Sequence, residues 1–584
     1  MSAPQSRSGA YGWAVRILVA LAPLWLLGSL DRGLWTPDEP READIAWRMS
    51  QQSDRTLPEL AGTPFLEKPP LSYWMSGAGI ALFGNSPAAA RSPNLLYAGV
   101  TAVAIGALAF TMAGSTAAVV AALVAATTII VFRVSVWLAP DAGLLAGCAL
   151  ALLGVYVGYT APTSRRKLLG YCLMHVGAAM GFMAKSAPGW MAPVLALAAI
   201  IAWERRWSEL LRWELYVGFL LQIAIIGPWI LAVTHTAHGT DALLTLFWHN
   251  VMGRFTKISA PAALDYSSAH KNKAGKYFIE LPVYLLPWTL LVVAALRRAW
   301  DRVRVAGPAG TPWRYALATT LPFLIVLSLA ATARDIYAAP ALLGFGVLVA
   351  LWLTEVERQP TRLDAFALRA TRWLVTLIGC GFAAFAVVLA IATGGFAYLL
   401  AAGLALIVCF AAMSRSASAQ RRGDPRSSFG WIYASYVTAL CVTGIATFPS
   451  IDRSHDLGEI AQRIHADSGD DELALLMPDE TTLAMLDHGL RMRFTVLDPD
   501  NQNTPEQLVH HWFNTHGSSA RVLVLLPGHA AGDLTRLLER FHPVKPADDG
   551  LAAELKSQGI ASIWRRYELS QGRRYALLGP PAKQ

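Results

Sequence analysis

Apolar runs of spanning length, judged against the roughly 20 residues that cross a hydrocarbon core, recur along the whole first three-quarters of the chain. They begin near Val15, Asn94, Ala117, Ala142, Leu168, Pro188, Leu215, Tyr277, Tyr315, Tyr337, Trp373, Phe396 and Trp431. A chain with about thirteen such runs has the bilayer as its main solvent and is expected to fold as an α-helical polytopic membrane protein. Composition agrees: of 584 residues, 54% are hydrophobic and only 15% charged, too apolar a balance for soluble domains. The first run, 15–30, passes directly into Asp31 and Arg32 without a small-residue cleavage site and reads as a retained span. Residues 71–83 are apolar as well, but this stretch is short, contains Gly77 and Gly79 and follows Pro69-Pro70, so it reads as an interfacial helix.

The formal charge of +9 would suit a nucleic-acid partner, yet Lys and Arg fall in short clusters between apolar runs, so none is expected. With an odd span count and a cytoplasmic N-terminus, Arg165-Arg166-Lys167, Arg205-Arg206, Arg297-Arg298, Arg358 with Arg362, and Arg421-Arg422 all land on the N-terminal side, as the positive-inside rule asks. The opposite side receives residues 31–93, Asp141, Lys185, 236–276, Arg334 and everything beyond 450. The five cysteines lie inside apolar runs and form no metal or disulfide pattern. Two domains are expected: 1–450 in the membrane, and 451–584 as a small extracytoplasmic α/β domain. In the latter, 473–476 and 522–526 read as buried strands and 504–512 and 530–541 as helices.

Chemistry-bearing residues gather on that opposite side. The first outer loop carries Asp38-Glu39-Pro40-Arg41-Glu42, with Pro40 suited to the first position of a helix, which would set both acids at its N-terminus. A solvated, capped helix start would look the same. Phe65-Leu66-Glu67-Lys68-Pro69-Pro70 fixes a Glu-Lys pair with a double proline, where a snorkelling lysine is the plain alternative. Asp141 opens a span, Lys185 closes one, and Arg334 precedes Tyr337; ionisable groups at such edges are costly and tend to be functional. The second large outer loop adds His249, Arg254, Lys257, His270, Lys271 and Lys273. Arg forks onto phosphate through two parallel hydrogen bonds and Lys serves as a point charge, so Arg254 and Lys68, with Arg41 or Lys185, suit a lipid phosphate. Carboxylates beside phosphate-binding cations suggest group transfer. A divalent metal held by His235, His238 and His249 with Glu67 and Asp141 is conceivable, but the spacing matches no ligand pattern and none is expected to be required.

The order of these motifs resembles the GT-C glycosyltransferases that use polyprenyl-phosphate sugars, in particular the branch that modifies lipid A with aminoarabinose, related to protein O-mannosyltransferases. The carriers are Leu34-Trp35-Thr36-Pro37-Asp38-Glu39-Pro40-Arg41-Glu42, Glu67-Lys68-Pro69-Pro70-Leu71 with Tyr73-Trp74, Arg91-Ser92-Pro93, Asp141, Lys185, Arg254-Phe255 and 337–340. The resemblance implies catalytic roles for Asp38, Asp141 and Glu67, and for Glu67 the place of a site acid within reach of a metal. It implies a carrier-phosphate clamp of Lys68 and Arg254 with Arg41 and Lys185. It further implies a cavity lined by His249, Tyr337, Glu39, Arg334 and Phe65. The implied reaction moves 4-amino-4-deoxy-L-arabinose from undecaprenyl phosphate to lipid A on the periplasmic face of the bacterial inner membrane, with inversion. A protein acceptor would keep the chemistry. A lipid-linked sugar flippase is the alternative of another class, disfavoured because no internal repeat is visible and the charges collect at one edge of the spans.

Overall fold

The computed structural model describes residues 12–30, 32–255, 272–332, 334–455, 457–488, 490–499, 503–527, 549–568 and 573–581. The helix expected over 530–541 and residues Asp31, Lys257, His270 and Lys271 lie outside them. The chain is a multi-pass membrane protein. Among the described residues nine helices are long and apolar enough to cross a membrane, and the pair Lys276–Tyr284 and Thr289–Arg302, bent by 117°, makes a tenth if taken as one span. The runs at Val15 and Pro188 form shorter apolar helices, Gly12–Leu26 and Pro188–Glu204. Those at Asn94 and Ala117 share Pro87–Ala126, which Gly114 breaks with φ 83° and ψ −169°. Every run expected from the sequence is therefore helical, but fewer than thirteen have the length and hydropathy of a span on their own. The runs at Asn94 and Ala117 are two helices joined across Gly114, and those at Val15 and Pro188 are helices of 15 and 17 residues.

What positions the site is the packing of Asp141–Thr160 against Ser164–Lys185, two helices joined by a short turn and therefore antiparallel. Small residues let their backbones meet: a Cβ on Gly147 would lie 2.5 Å from the Gly181 nitrogen, on Gly154 2.2 Å from that of Met174, and on Gly177 2.4 Å from that of Ala151. The first residue of one helix, Asp141, thereby meets the last residue of the other, Lys185. At the far ends of the same helices sit different charges: Lys167 donates to the Gly158 carbonyl at 2.9 Å and pairs with Glu209, while Arg314 reaches Glu204 at 2.5 Å. Acids and their cationic partners thus occupy both ends of the helix pair, while His175, midway along the second helix, is buried with its ring 2.8 Å from the Leu215 carbonyl.

The short apolar helix Leu71–Phe83 lies against Glu39–Gln51, where a Cβ on Gly77 would meet the Ala46 carbonyl at 2.8 Å. Between them run β1 (Glu59–Leu60) and β2 (Thr63–Pro64), an antiparallel pair. The last long helix, Pro425–His455, crosses the boundary expected at 450–451. Beyond it lie β3 (Glu472–Leu476), β4 (Thr495–Leu497), β5 (Ala520–Leu525), β6 (Ser562–Glu568) and β7 (Arg574–Gly579). The sheet order is β4-β3-β5-β7-β6, parallel across β4, β3 and β5 and antiparallel at β7. Alternate residues of β3 and β5 face opposite cores: Ala474, Leu476, Val522 and Val524 pack under Pro505–His516 and Gly550–Ser557, and Leu473, Leu475 and Leu523 under Gly458–Ser468. The two strands expected from their apolar runs are β3 and β5, and the helix expected from 504 begins with Thr504 in a capping box with Gln507.

Gly154→Leu should force the central helix pair apart and cost about 1–3 kcal/mol of stability. Thermal unfolding of the full chain in detergent should show a lowered midpoint, whereas Gly381→Ala, at a helical position with no neighbour within 4 Å of the new Cβ, should not. Equal midpoints for Gly154→Leu and the parent would refute the close approach.

Candidate active site

The outer loop is organised by one carboxylate. Glu39, at the first position of Glu39–Gln51, has no solvent exposure. Its Oε1 accepts from Arg32 Nη2 at 2.8 Å, Arg91 Nε at 3.0 Å and the Leu138 amide at 2.8 Å. Its Oε2 accepts from Arg32 Nη1 at 2.5 Å, Arg91 Nη2 at 2.9 Å and the Trp35 amide at 2.8 Å. Burial opposes its charge, but Arg91 and Arg32 outweigh burial and hold the carboxyl below its ordinary value. Glu39 was expected to line the cavity. Instead its oxygens are used up in tying the loop to the Pro87–Ala126 helix and to the segment before Asp141, so it is an anchor.

Asp38 caps the same helix without a side-chain cap bond, and Pro40 follows one position inside it. Its Oδ2 accepts from Arg334 Nη2 at 2.7 Å, with Arg41 at 3.5 Å from Oδ1. Burial would raise this carboxyl, yet Arg334 and Arg41, helped by Lys68, bring it down to about 2. Arg41 donates to Glu42 at 2.5 Å and to Glu480 of the C-terminal domain. Lys68 Nζ also donates to Glu42, at 3.0 Å. Phe65 is buried beneath both cations, its ring centroid 5.6 Å from Arg41 and 5.4 Å from Lys68. Thr481 clamps the loop from outside, its hydroxyl donating to the Pro37 carbonyl at 2.8 Å.

Beside this network opens a cleft of about 1050 Å³, counting its mouth. Its polar wall includes Glu67, Lys68, Asp141, Lys185, Asn250, Arg254 and Tyr337, and its apolar wall includes Leu144, Met191, Phe323 and Leu327. Lys185 Nζ lies 2.5 Å from both Asp141 oxygens and 4.8 Å from the Tyr337 ring centroid. Arg254 Nη1 donates to the Tyr337 hydroxyl at 3.0 Å. Asn250 donates to the Glu67 carbonyl and so steadies the backbone that the two prolines stiffen.

The cleft therefore brings together six of the twelve expected site residues: Asp141, Glu67, Lys68, Arg254, Lys185 and Tyr337. Asp38, Arg41, Arg334 and Phe65 form the adjoining network behind it. His249 does not reach the wall. It is buried at the end of the π-helical turn Thr245–His249, and its neighbours Asn250 and Val251 line the cleft instead. A wide turn shifts which side chain faces inward, and no sequence periodicity announces it. Sequence reasoning also missed Asn250 as a cleft residue, and Glu42 as the acid shared by Arg41 and Lys68. Glu480 could not be found that way, being 439 residues from its partner. Among the described residues no group of three or more His, Cys, Asp or Glu side chains is placed to hold a metal, and Asp141 is already engaged by Lys185. The described residues around the cleft do not fit a metal site.

Comparison with known proteins bears on this geometry. A family profile described as dolichyl-phosphate-mannose-protein mannosyltransferase matches residues 67–232. The chain is 29% identical over 344 residues to an undecaprenyl phosphate-alpha-4-amino-4-deoxy-L-arabinose arabinosyl transferase of Serratia proteamaculans, covering 59% of each. It is 30% identical over 362 residues to the protein of that name from Pseudomonas paraeruginosa, covering 61% of this chain and 62% of that one. The chain thus spans about three-fifths of the length of the curated relatives it matches. The crystal structure of ArnT from Cupriavidus metallidurans bound to undecaprenyl phosphate superposes with a TM-score of 0.68 at 16% identity, over 97% of this chain and 98% of that one.

Because Glu39 is fully buried, removing either side of its ion cluster strands a charge. Glu39→Gln or Arg91→Ala should cost about 3–5 kcal/mol. A drop in the yield of monodisperse protein and in its unfolding midpoint would register this; an unaltered midpoint would remove Glu39 from its role as anchor.

Proposed function

We propose that this chain, which has the fold of the GT-C polyprenyl-phosphate-sugar glycosyltransferases, transfers a sugar from undecaprenyl phosphate to a phosphate of lipid A on the periplasmic face of the inner membrane. The sugar of the relatives, 4-amino-4-deoxy-L-arabinose, is the proposed cargo. One observation carries the reading: Lys68, Lys185 and Arg254 converge on a cleft whose other wall is apolar, as a phosphate joined to a prenyl chain requires.

In the reaction an acceptor phosphate oxygen forms a bond to the anomeric carbon from the face opposite the leaving group. The bond from that carbon to the carrier oxygen breaks, its electron pair departs with undecaprenyl phosphate, and the configuration inverts. Lys68 and Arg254 neutralise the charge that grows on the carrier phosphate. Lys185, held by Asp141 over the Tyr337 ring, is the third cation within reach. Asp38 sets Arg334 and Arg41 at the back of the cleft and orients the acceptor there. A carboxylate held at about 2 is a poor base, and an acceptor that is already ionised asks for none. A protein hydroxyl would ask for one, which favours the phosphate acceptor.

Incubating the reconstituted protein with undecaprenyl-phosphate aminoarabinose and lipid A should yield lipid A heavier by one aminoarabinose residue, read by mass spectrometry. No covalent product would leave transport as the function and overturn this proposal. Lys68→Ala and Arg254→Ala should each lower kcat/KM roughly 10- to 100-fold. Asp38→Asn should reduce transfer to lipid A without abolishing it, and full activity would remove Asp38 from the site. As for pH, a carboxyl lowered from its ordinary 3.8 to about 2 is ionised above ~4. The rate profile between pH 5 and 9 should consequently carry no limb from Asp38; a wild-type limb that vanishes in Asp38→Asn would contradict the assignment.

A further inference from the structure

The cleft holds one acid whose charge is unanswered. Asp141 is taken by Lys185, and Glu42, just behind, by Arg41 and Lys68. The Glu67 side chain lines the cleft, yet among the described residues it accepts no hydrogen bond and joins no ion pair. It is held there firmly, because Asn250 grips its carbonyl and Pro69-Pro70 restrict the chain just beyond it.

We propose that Glu67 is the subsite for a cationic amine on the transferred sugar, its carboxylate receiving the ammonium while Lys68 and Arg254 hold the carrier phosphate. This rests on the transferase reading above and names what that site selects. A donor headgroup with a phosphodiester and an ammonium is a zwitterion, and the cleft offers both complements. Glu67 and Lys68 are neighbours in sequence and both line the cleft, so the two subsites share one cavity. Burial raises the Glu67 carboxyl, as does Glu480, against the pull of Lys68, Arg41 and Arg254. A cation delivered by the substrate supplies what those neighbours leave short. A neutral sugar leaves the partly buried carboxylate without a partner, so the site selects against it.

The test compares two donors on the full-length protein: undecaprenyl-phosphate 4-amino-4-deoxy-L-arabinose and its isosteric 4-hydroxy counterpart. Wild type should prefer the amine roughly tenfold or more in kcat/KM, and Glu67→Gln should erase that preference mainly through KM for the amine donor. Glu67→Asp should keep part of it. If wild type uses both donors equally, or if Glu67→Gln slows both by the same factor, the subsite is overturned. Should wild type transfer neither donor, the proposed function fails, and the subsite is judged separately by thermal shift. In that arm, amine-dependent stabilisation present in wild type and absent in Glu67→Gln supports it, and equal stabilisation by both donors refutes it.

Discussion

The face of this protein that carries the cleft hangs on the carboxylate of Glu39. In hydrocarbon or at its edge, a charge without partners is several kcal/mol too costly to keep. Glu39 removes that cost by accepting from two arginines and two backbone amides that belong to otherwise separate segments. Arg91 in turn binds the carbonyls of Ser29 and Arg32, at 3.3 Å and 3.0 Å. The exit of the first helix, the start of the Pro87–Ala126 helix and the approach to Asp141 are thus fixed to one point. Asp38, the residue before it, inherits a fixed position from the backbone it shares.

A second constraint aligns the rest. The close glycine contacts between Asp141–Thr160 and Ser164–Lys185 settle the axial register of two helices, and so set Asp141 against Lys185. Their ion pair is a consequence of packing several turns away. The cations of the cleft divide in the same way: Lys185 is pinned by a carboxylate, Lys68 by Glu42, and Arg254 meets the Tyr337 hydroxyl. Cations already held by partners keep their place in an empty cleft and can still turn additional donors toward a phosphate, since an ammonium has three and a guanidinium five.

How much of this was legible in the sequence follows from which signals are local. The strands β3 and β5, the capped helix at Thr504 and the placing of Asp141 and Lys185 at helix ends are written in runs of a few residues. The gathering of six expected residues in one cleft was legible too, because span counting puts their loops on one side. What the sequence did not disclose is direction. Nothing in Asp38-Glu39 says which acid turns outward to Arg334 and which inward to Arg32 and Arg91, so Glu39 read as a cavity residue. His249 failed for a related reason, since a single wide turn rotates the chain beyond it. The two runs read at Asn94 and Ala117 are two helices that Gly114 divides within one continuous element.

The C-terminal domain shows the limit of local reading most clearly. Its composition suggested an ordinary small domain, and its fold is one, but its helix Glu480–Asp487 lies on Glu39–Gln51 and shares that helix's charges. Glu480 takes Arg41, Thr481 takes the Pro37 carbonyl, and Asp487 takes Arg48, whose Nε lies 3.0 Å from it. Nearer the membrane, Asp452 accepts from the Gly33 amide and the Trp35 indole, both at 2.7 Å. Burial, together with the neighbouring Asp487, pushes the Asp44 carboxyl well above its ordinary value, against the pull of the Ala61 amide and Arg48. Every one of these contacts falls on the segment that carries Asp38 and Arg41. Lifting the domain away would expose Arg41 without Glu480 and leave the Pro37 carbonyl without its donor, which makes the domain a structural part of that loop even though none of its described side chains lines the cleft.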